Sequence, residues 1–143
     1  MNLPMTDDVR TADGGPAPWP ELFQRRNLLV LFAEDGDEAC DRAIAALRSS
    51  VEKLDDDDAV PLVVYERAPA KPPDGVTVLV DPGGHLARSL GAGPGKLLAV
   101  DRFFEVLKGV DVRRSDPTAA VPEAIGWLDL AEMSCPECGV PTW

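Results

Sequence analysis

Runs and stripes of apolar residues divide this chain into alternating strands and helices. Asn27-Leu-Leu-Val-Leu-Phe32 is a continuous apolar run with the length and composition of a buried, central strand. Asp35, with Glu38 three residues on, has the form of a capping box, and Cys40, Ile44, Leu47, Val51 and Leu54 then recur every three to four residues. That spacing predicts a helix with one buried face, ended by the acidic run Asp55 to Asp58. Val60-Pro-Leu-Val-Val-Tyr65 reads as a second strand, whose Pro61 favours a strand start or a sheet edge. Strand, helix and strand in this order predict a right-handed parallel unit.

A Pro-rich loop, Ala68 to Gly75, leads to a further strand, Val76 to Asp81. The turn Pro82-Gly83-Gly84 follows, then a short helix from His85 to Leu90 that Gly91 to Gly95 breaks. Lys96 to Asp101 and Glu105 to Val112 stand close enough to pair as an antiparallel hairpin. The last helix is capped by Asp116 or Thr118, carries Pro122 in its first turn, and buries Val121, Ile125, Leu128 and Ala131. In one mixed sheet the Asn27 strand should be central, with the Val60 and Glu105 strands outermost. The first eighteen residues show no periodic apolar pattern and predict a flexible leader, with Trp19, Leu22 and Phe23 docking a turn. The expected division is a leader at 1–18, a domain at 19–134 and a tail at 135–143.

Val78-Leu-Val-Asp-Pro-Gly-Gly-His-Leu-Ala-Arg-Ser-Leu-Gly91, followed by Leu97-Leu-Ala-Val-Asp-Arg102, gives the chain a specific likeness. It resembles a stretch of the peroxiredoxins, the alkyl hydroperoxide reductase and thiol-specific antioxidant group, and of their redoxin relatives. The resemblance spans about Leu28 to Leu130. It implies an α/β, thioredoxin-like fold with a central mixed β-sheet flanked by helices. It also implies a thiol-dependent oxidoreductase or peroxidase-like antioxidant.

The thiol site departs from those relatives. Where thioredoxins carry Cys-x-x-Cys at the start of the first core helix, this chain reads Asp37-Glu-Ala-Cys40. Cys40 occupies the second position and Asp37 replaces the usual nucleophile, so exchange within the motif is excluded. Against the peroxiredoxin pattern Pro-x-x-x-Thr-x-x-Cys, Cys40 keeps the cysteine, Asp37 stands at the threonine and Ala33 at the proline. Glu34, Asp35, Asp37, Glu38 and Asp41 should oppose the thiolate that a helix N-terminus favours. Activity at Cys40 is therefore expected to be weakened or lost, and Cys40 also reads as the first buried residue of its helix stripe. Asp37 reads as a first-turn partner of the helix dipole rather than a general base. Arg102, Arg113 and Arg114 are candidates for the activating arginine of the family, and Pro94 for its cis-proline. His85, the one histidine, is expected to be solvated, and Phe103-Phe104 to form an exposed contact patch.

Cys135-Pro136-Glu137-Cys138-Gly139 resembles the knuckle of zinc ribbons and rubredoxins, which turns two thiolates toward one point. The last helix should carry this knuckle roughly 20 Å from Cys40, out of reach of both Cys40 and His85. Three arrangements stay open: a four-cysteine zinc site shared across a homodimer, a disulfide between Cys135 and Cys138, or free thiols. The alternative to an oxidoreductase acting on a protein thiol or disulfide partner is thus a non-catalytic module that binds or assembles.

Composition narrows the partners. At 143 residues and 45% hydrophobic content, one domain with a proper core is expected. A net charge of -11 argues against a nucleic-acid partner, because such a field repels phosphate. The acidic, Lys-poor composition fits either a high-salt cytoplasm or a high-GC genome with a solvated acidic loop. No apolar stretch approaches the roughly 18 residues of a spanning helix and no signal peptide is evident, so a cytoplasmic protein without a membrane partner is expected.

Overall fold

The computed structural model describes residues 1–114 and 116–133. Its centre is the first apolar run: β2 (Asn27–Ala33) is buried at all seven positions. A strand buried on both faces needs neighbours on both edges. β2 pairs in parallel with β3 (Ala59–Tyr65), Asn27 opposite Ala59 through Ala33 opposite Tyr65. On its other edge it pairs antiparallel with β5 (Lys96–Val100), Leu28 opposite Val100. With β4 (Thr77–Val80), β6 (Val106–Asp111) and a two-residue β1 (Arg10–Thr11), the sheet order is β1-β4-β3-β2-β5-β6.

The Asn27 strand is central and β6 lies at an edge, as expected, but the Val60 strand is not outermost. β4 pairs in parallel along it, from Leu62 opposite Thr77 to Tyr65 opposite Val80. Val63 and Val64 are both buried, and a strand apolar on both faces is driven inside the sheet. Pro61 is tolerated because β4 begins opposite Leu62, which leaves the proline a ladder partner, Leu29, on one side only.

Helix α2 (Glu38–Ser49) begins later than the capping box implies. Its N-cap is Asp37, which accepts from the Cys40 amide at 3.0 Å, while Asp35 turns away to the Ala70 amide. Gly36, at φ +82°, makes the turn between them that a side chain would strain. The stripe also breaks. Ser50 separates α2 from α3 (Val51–Asp56), so Val51 is 51% exposed while Leu54 returns to the core. Helix α5 (Pro117–Met133) starts at the earlier of the two expected caps, with Asp116 accepting from the Thr118 amide and Pro117 in the first helical position. Pro122 therefore lies in the second turn, not the first, with its ring exposed.

Helices α2, α3 and α5 cover one face of the sheet around Leu31, Leu47, Leu97 and Leu128. Among the described residues the other face carries only two short α-helices, α1 (Trp19–Leu22) and α4 (His85–Ser89), too little to bury Leu28, Val30, Leu62 and Leu79. Residues 1–18 supply the rest, which corrects the expectation of a flexible leader. Leu3 and Val9 are buried, the Leu3 amide donates to the Phe104 carbonyl at 2.7 Å, and Trp19 Nε1 donates to the Thr6 carbonyl at 3.0 Å. The aromatic pair is likewise no patch. Phe104, at φ +63°, folds inward and meets Trp19 and Phe23 edge to face at 5.9 and 5.1 Å, so Phe103 alone faces outward.

One polar contact in this frame works against stability. Asp57 is buried and its Oδ2 has no partner among the described residues; burial, followed by the neighbouring Asp129 carboxyl, raises its pKa. A raised carboxyl pKa gives stability present below the unfolded value and lost as pH rises through the folded one. Asp57→Asn should therefore stabilise the protein at neutral pH by about 0.5–1.5 kcal/mol, with the gain shrinking toward pH ~4. Urea unfolding across that range checks it; equal midpoints at neutral pH would refute it.

Candidate active site

Cys40 is the third residue of α2, and its side chain enters the core at 0% exposure. The sequence places it there because the apolar face of α2, with Ala43, Ile44 and Leu47, begins at this residue. Burial pushes the thiol above its ordinary pKa. The Asp37 carboxylate adds to the shift, and a Glu34 backbone contact and the Arg113 charge work against it. Of the five carboxylates expected to crowd the sulfur, Asp37 is the one that bears on it, and its effect is smaller than that of burial.

Asp37 is itself held below the usual carboxylate range, first by the Cys40 amide and then by Arg113. It stands as an anion at neutral pH and has no proton to give. Arg113 places Nη2 2.5 Å from Asp37 Oδ2 and 2.9 Å from Glu34 Oε1. Among the three candidate arginines, this one reaches the site. Arg102 pairs with Glu132 at 2.6 Å at the far end of the sheet, and Arg114 approaches Asp111 at 3.7 Å. The stem of Arg113 lies against Gly95, where an added Cβ would stand 2.9 Å from it; with φ at +93°, position 95 is doubly restricted to glycine.

Pro94 borders the site without the expected geometry. No peptide bond among the described residues is cis, so Gly93–Pro94 is trans. Pro94 instead forms part of the wall between two adjoining clefts at the carboxyl ends of β2 and β3. One, of 380 Å³, is lined by Glu34, Asp35, Tyr65, Glu66 and Arg67, and the other, of 160 Å³, by Phe32, Val64, Glu66, Ala87, Arg88 and Ala92. Burial, then Asp41 and Asp35, raises the Tyr65 phenol to about 12, which keeps it a neutral donor. His85 is exposed, with Arg88 2.9 Å from its Nδ1.

The structure thus joins Cys40, Asp37 and Arg113, sets Pro94 beside them, and leaves Arg102 and Arg114 elsewhere. Sequence reasoning missed Tyr65, Glu66 and Arg67; the available signal was their place at the carboxyl end of a parallel strand, where open α/β sheets form crevices. Cys135 and Cys138 lie outside the described residues. Among the described residues, no group of three or more His, Cys, Asp or Glu is placed to hold a metal ion. No helix among them is long and apolar enough to cross a membrane.

No family model and no curated protein matches the sequence. Solved structures do. The peroxidoxin BcpB of Mycobacterium tuberculosis superposes with a TM-score of 0.72 at 14% identity, over 85% of this chain and 90% of that one. The bacterioferritin comigratory protein of Xanthomonas campestris reaches 0.74 at 12% identity, over 91% and 95%. AhpC of M. tuberculosis gives 0.60 at 22% identity, over 80% and 74%. These likenesses concern the fold, and by it the chain is a thioredoxin-fold protein of the peroxiredoxin-like form.

Proposed function

We propose that this is a redoxin-fold protein in which thiol peroxidase chemistry at Cys40 is weakened to the point of loss. The observation that carries this reading is the complete burial of Cys40 beneath an N-cap carboxylate that also takes up Arg113. A thiol peroxidase needs a thiolate that peroxide can touch and a cation free to stabilise it. Here the thiol is held protonated, and the guanidinium that could favour the thiolate is bound to Asp37 and Glu34. The Xanthomonas protein of the same fold is described with alkyl peroxide reduction activity; this chain keeps the scaffold and has altered the reacting groups. The expected result is no consumption of hydrogen peroxide or an alkyl hydroperoxide above a Cys40→Ser control, with dithiothreitol as reductant. Turnover that vanishes in Cys40→Ser would overturn the reading.

The alternative module reading rests on the direction of α5. Arg42 and Asp116, 3.7 Å apart, tie its start to α2, whereas Glu132 accepts from Asn27 at 2.7 Å, at the opposite end of β2. Its 17 residues span about 25 Å, so the described end of α5 lies remote from Cys40. On this reading Cys135 and Cys138 act without Cys40, as a dithiol or as half of a zinc site that a second subunit would complete.

A further inference from the structure

Past Leu128 no side chain of α5 is buried among the described residues, and Leu130 is 53% exposed. Polar contacts take over there. Lys53 Nζ lies 3.2 Å from Asp129 Oδ1 and 3.5 Å from Asp57 Oδ1, while Glu132 accepts from Asn27 at 2.7 Å and from Arg102 at 2.6 Å. Asp57 is the weak point of this cluster. Its side chain is 10% exposed, Oδ2 has no partner among the described residues, and one half-exposed ammonium serves both it and Asp129. A single cation cannot fully offset two adjacent carboxylates, and burial disfavours the second charge. The other charged groups around Asp57 do not relieve it: Asp55, Asp56 and Asp58 are exposed and acidic, Arg26 pairs with Asp58 at 3.8 Å, and Arg102 pairs with Glu132.

We propose that the end of α5, from Asp129 onward, is an acid-stabilised latch: a proton shared by Asp57 and Asp129 holds it against the end of α3, and loss of that proton loosens it. With the proton on Asp57, two facing acceptors become a donor and an acceptor, and Lys53 is left to balance one charge instead of two. Burial and then Asp129 raise the Asp57 pKa, so the latch is closed below the folded value and weakens as pH rises through it. Burial works against the charge on Glu132, but Asn27 and Arg102 hold its carboxyl below the usual range, so the change belongs to Asp57. Cys135 and Cys138 come next in sequence, so the latch acts at the base of the segment that carries them and stands whatever their chemistry.

The test is hydrogen exchange at the amides of Leu130, Ala131 and Glu132 in the full chain, compared as protection factors at pH ~4.5 and ~7.5 at one ionic strength. Protection is expected to be about two- to ten-fold higher at the lower pH, the worth of one hydrogen bond. At both pH values these amides should exchange at least about ten-fold faster than those of Leu29 and Leu31, which marks local opening. Asp57→Asn supplies a neutral donor at every pH and should make protection high and flat, whereas Lys53→Met removes the shared cation and should widen the step. Equal protection at the two pH values, a step that persists in Asp57→Asn or narrows in Lys53→Met, or exchange as slow as in β2 would each overturn the latch.

Discussion

Phe104→Ala should lower the unfolding free energy by about 3–5 kcal/mol, the range for deleting a buried aromatic ring. Phe104 is the largest fully buried side chain, and it joins three parts of the chain that lie far apart in sequence. Its ring meets Trp19 and Phe23 edge to face, and its carbonyl accepts from the Leu3 amide. Such ring pairs add about 0.5–1.5 kcal/mol beyond burial. The loss would be a large share of the ~5–15 kcal/mol that holds a domain of this kind together. Urea denaturation measures it. A change under about 1 kcal/mol would mean that residues 1–23 do not cover this face of the sheet. Phe104→Gly relieves the positive φ but leaves the same cavity, so it should destabilise only slightly less.

The second large effect concerns access to Cys40. With Cys135 and Cys138 replaced by serine, iodoacetamide should modify native protein at pH ~7 about 100-fold more slowly than the same chain unfolded in urea. Two causes multiply. Each unit by which the pKa rises removes a factor of ten in thiolate, and a sulfur at 0% exposure reacts only through local opening. Comparable rates in the two states would show that the α2 N-terminus opens freely.

Much of this structure was legible where the physics is local. The run at Asn27 announces a doubly buried strand, the hairpin at Lys96 to Val112 follows from two short runs and a tight turn, and the stripe from Cys40 points that residue inward. What escaped depends on pairing across the chain. Leu3, Val9, Ala17 and Trp19 follow no helix or strand period, so their burial emerges only once the uncovered face beneath them is known. Val60 to Tyr65 and Thr77 to Val80 look alike as runs, and their order in the sheet is set by register rather than composition. Two aspartates compete to cap α2, and the choice of Asp37 depends on a turn at Gly36. In the site, Cys40 and Asp37 are near in sequence and were read together. Arg113, nearly eighty residues from Asp37, could be singled out from Arg102 and Arg114 only by the end of β6 arriving beside α2. Tyr65, Glu66 and Arg67 become legible once the Val60 run is taken as a parallel strand, because the crevice forms at its carboxyl end and not in the run itself.

The proposal that the Cys40 thiol is closed to chemistry can be tested most directly by titrating the ultraviolet absorbance of the Cys40 thiolate in the variant lacking Cys135 and Cys138. The account predicts a midpoint above the ~8.5 of a free cysteine, because burial outweighs both Arg113 and the helix N-terminus. A midpoint below about 7, the range of activated cysteines, would contradict it and return Cys40 to the role of nucleophile.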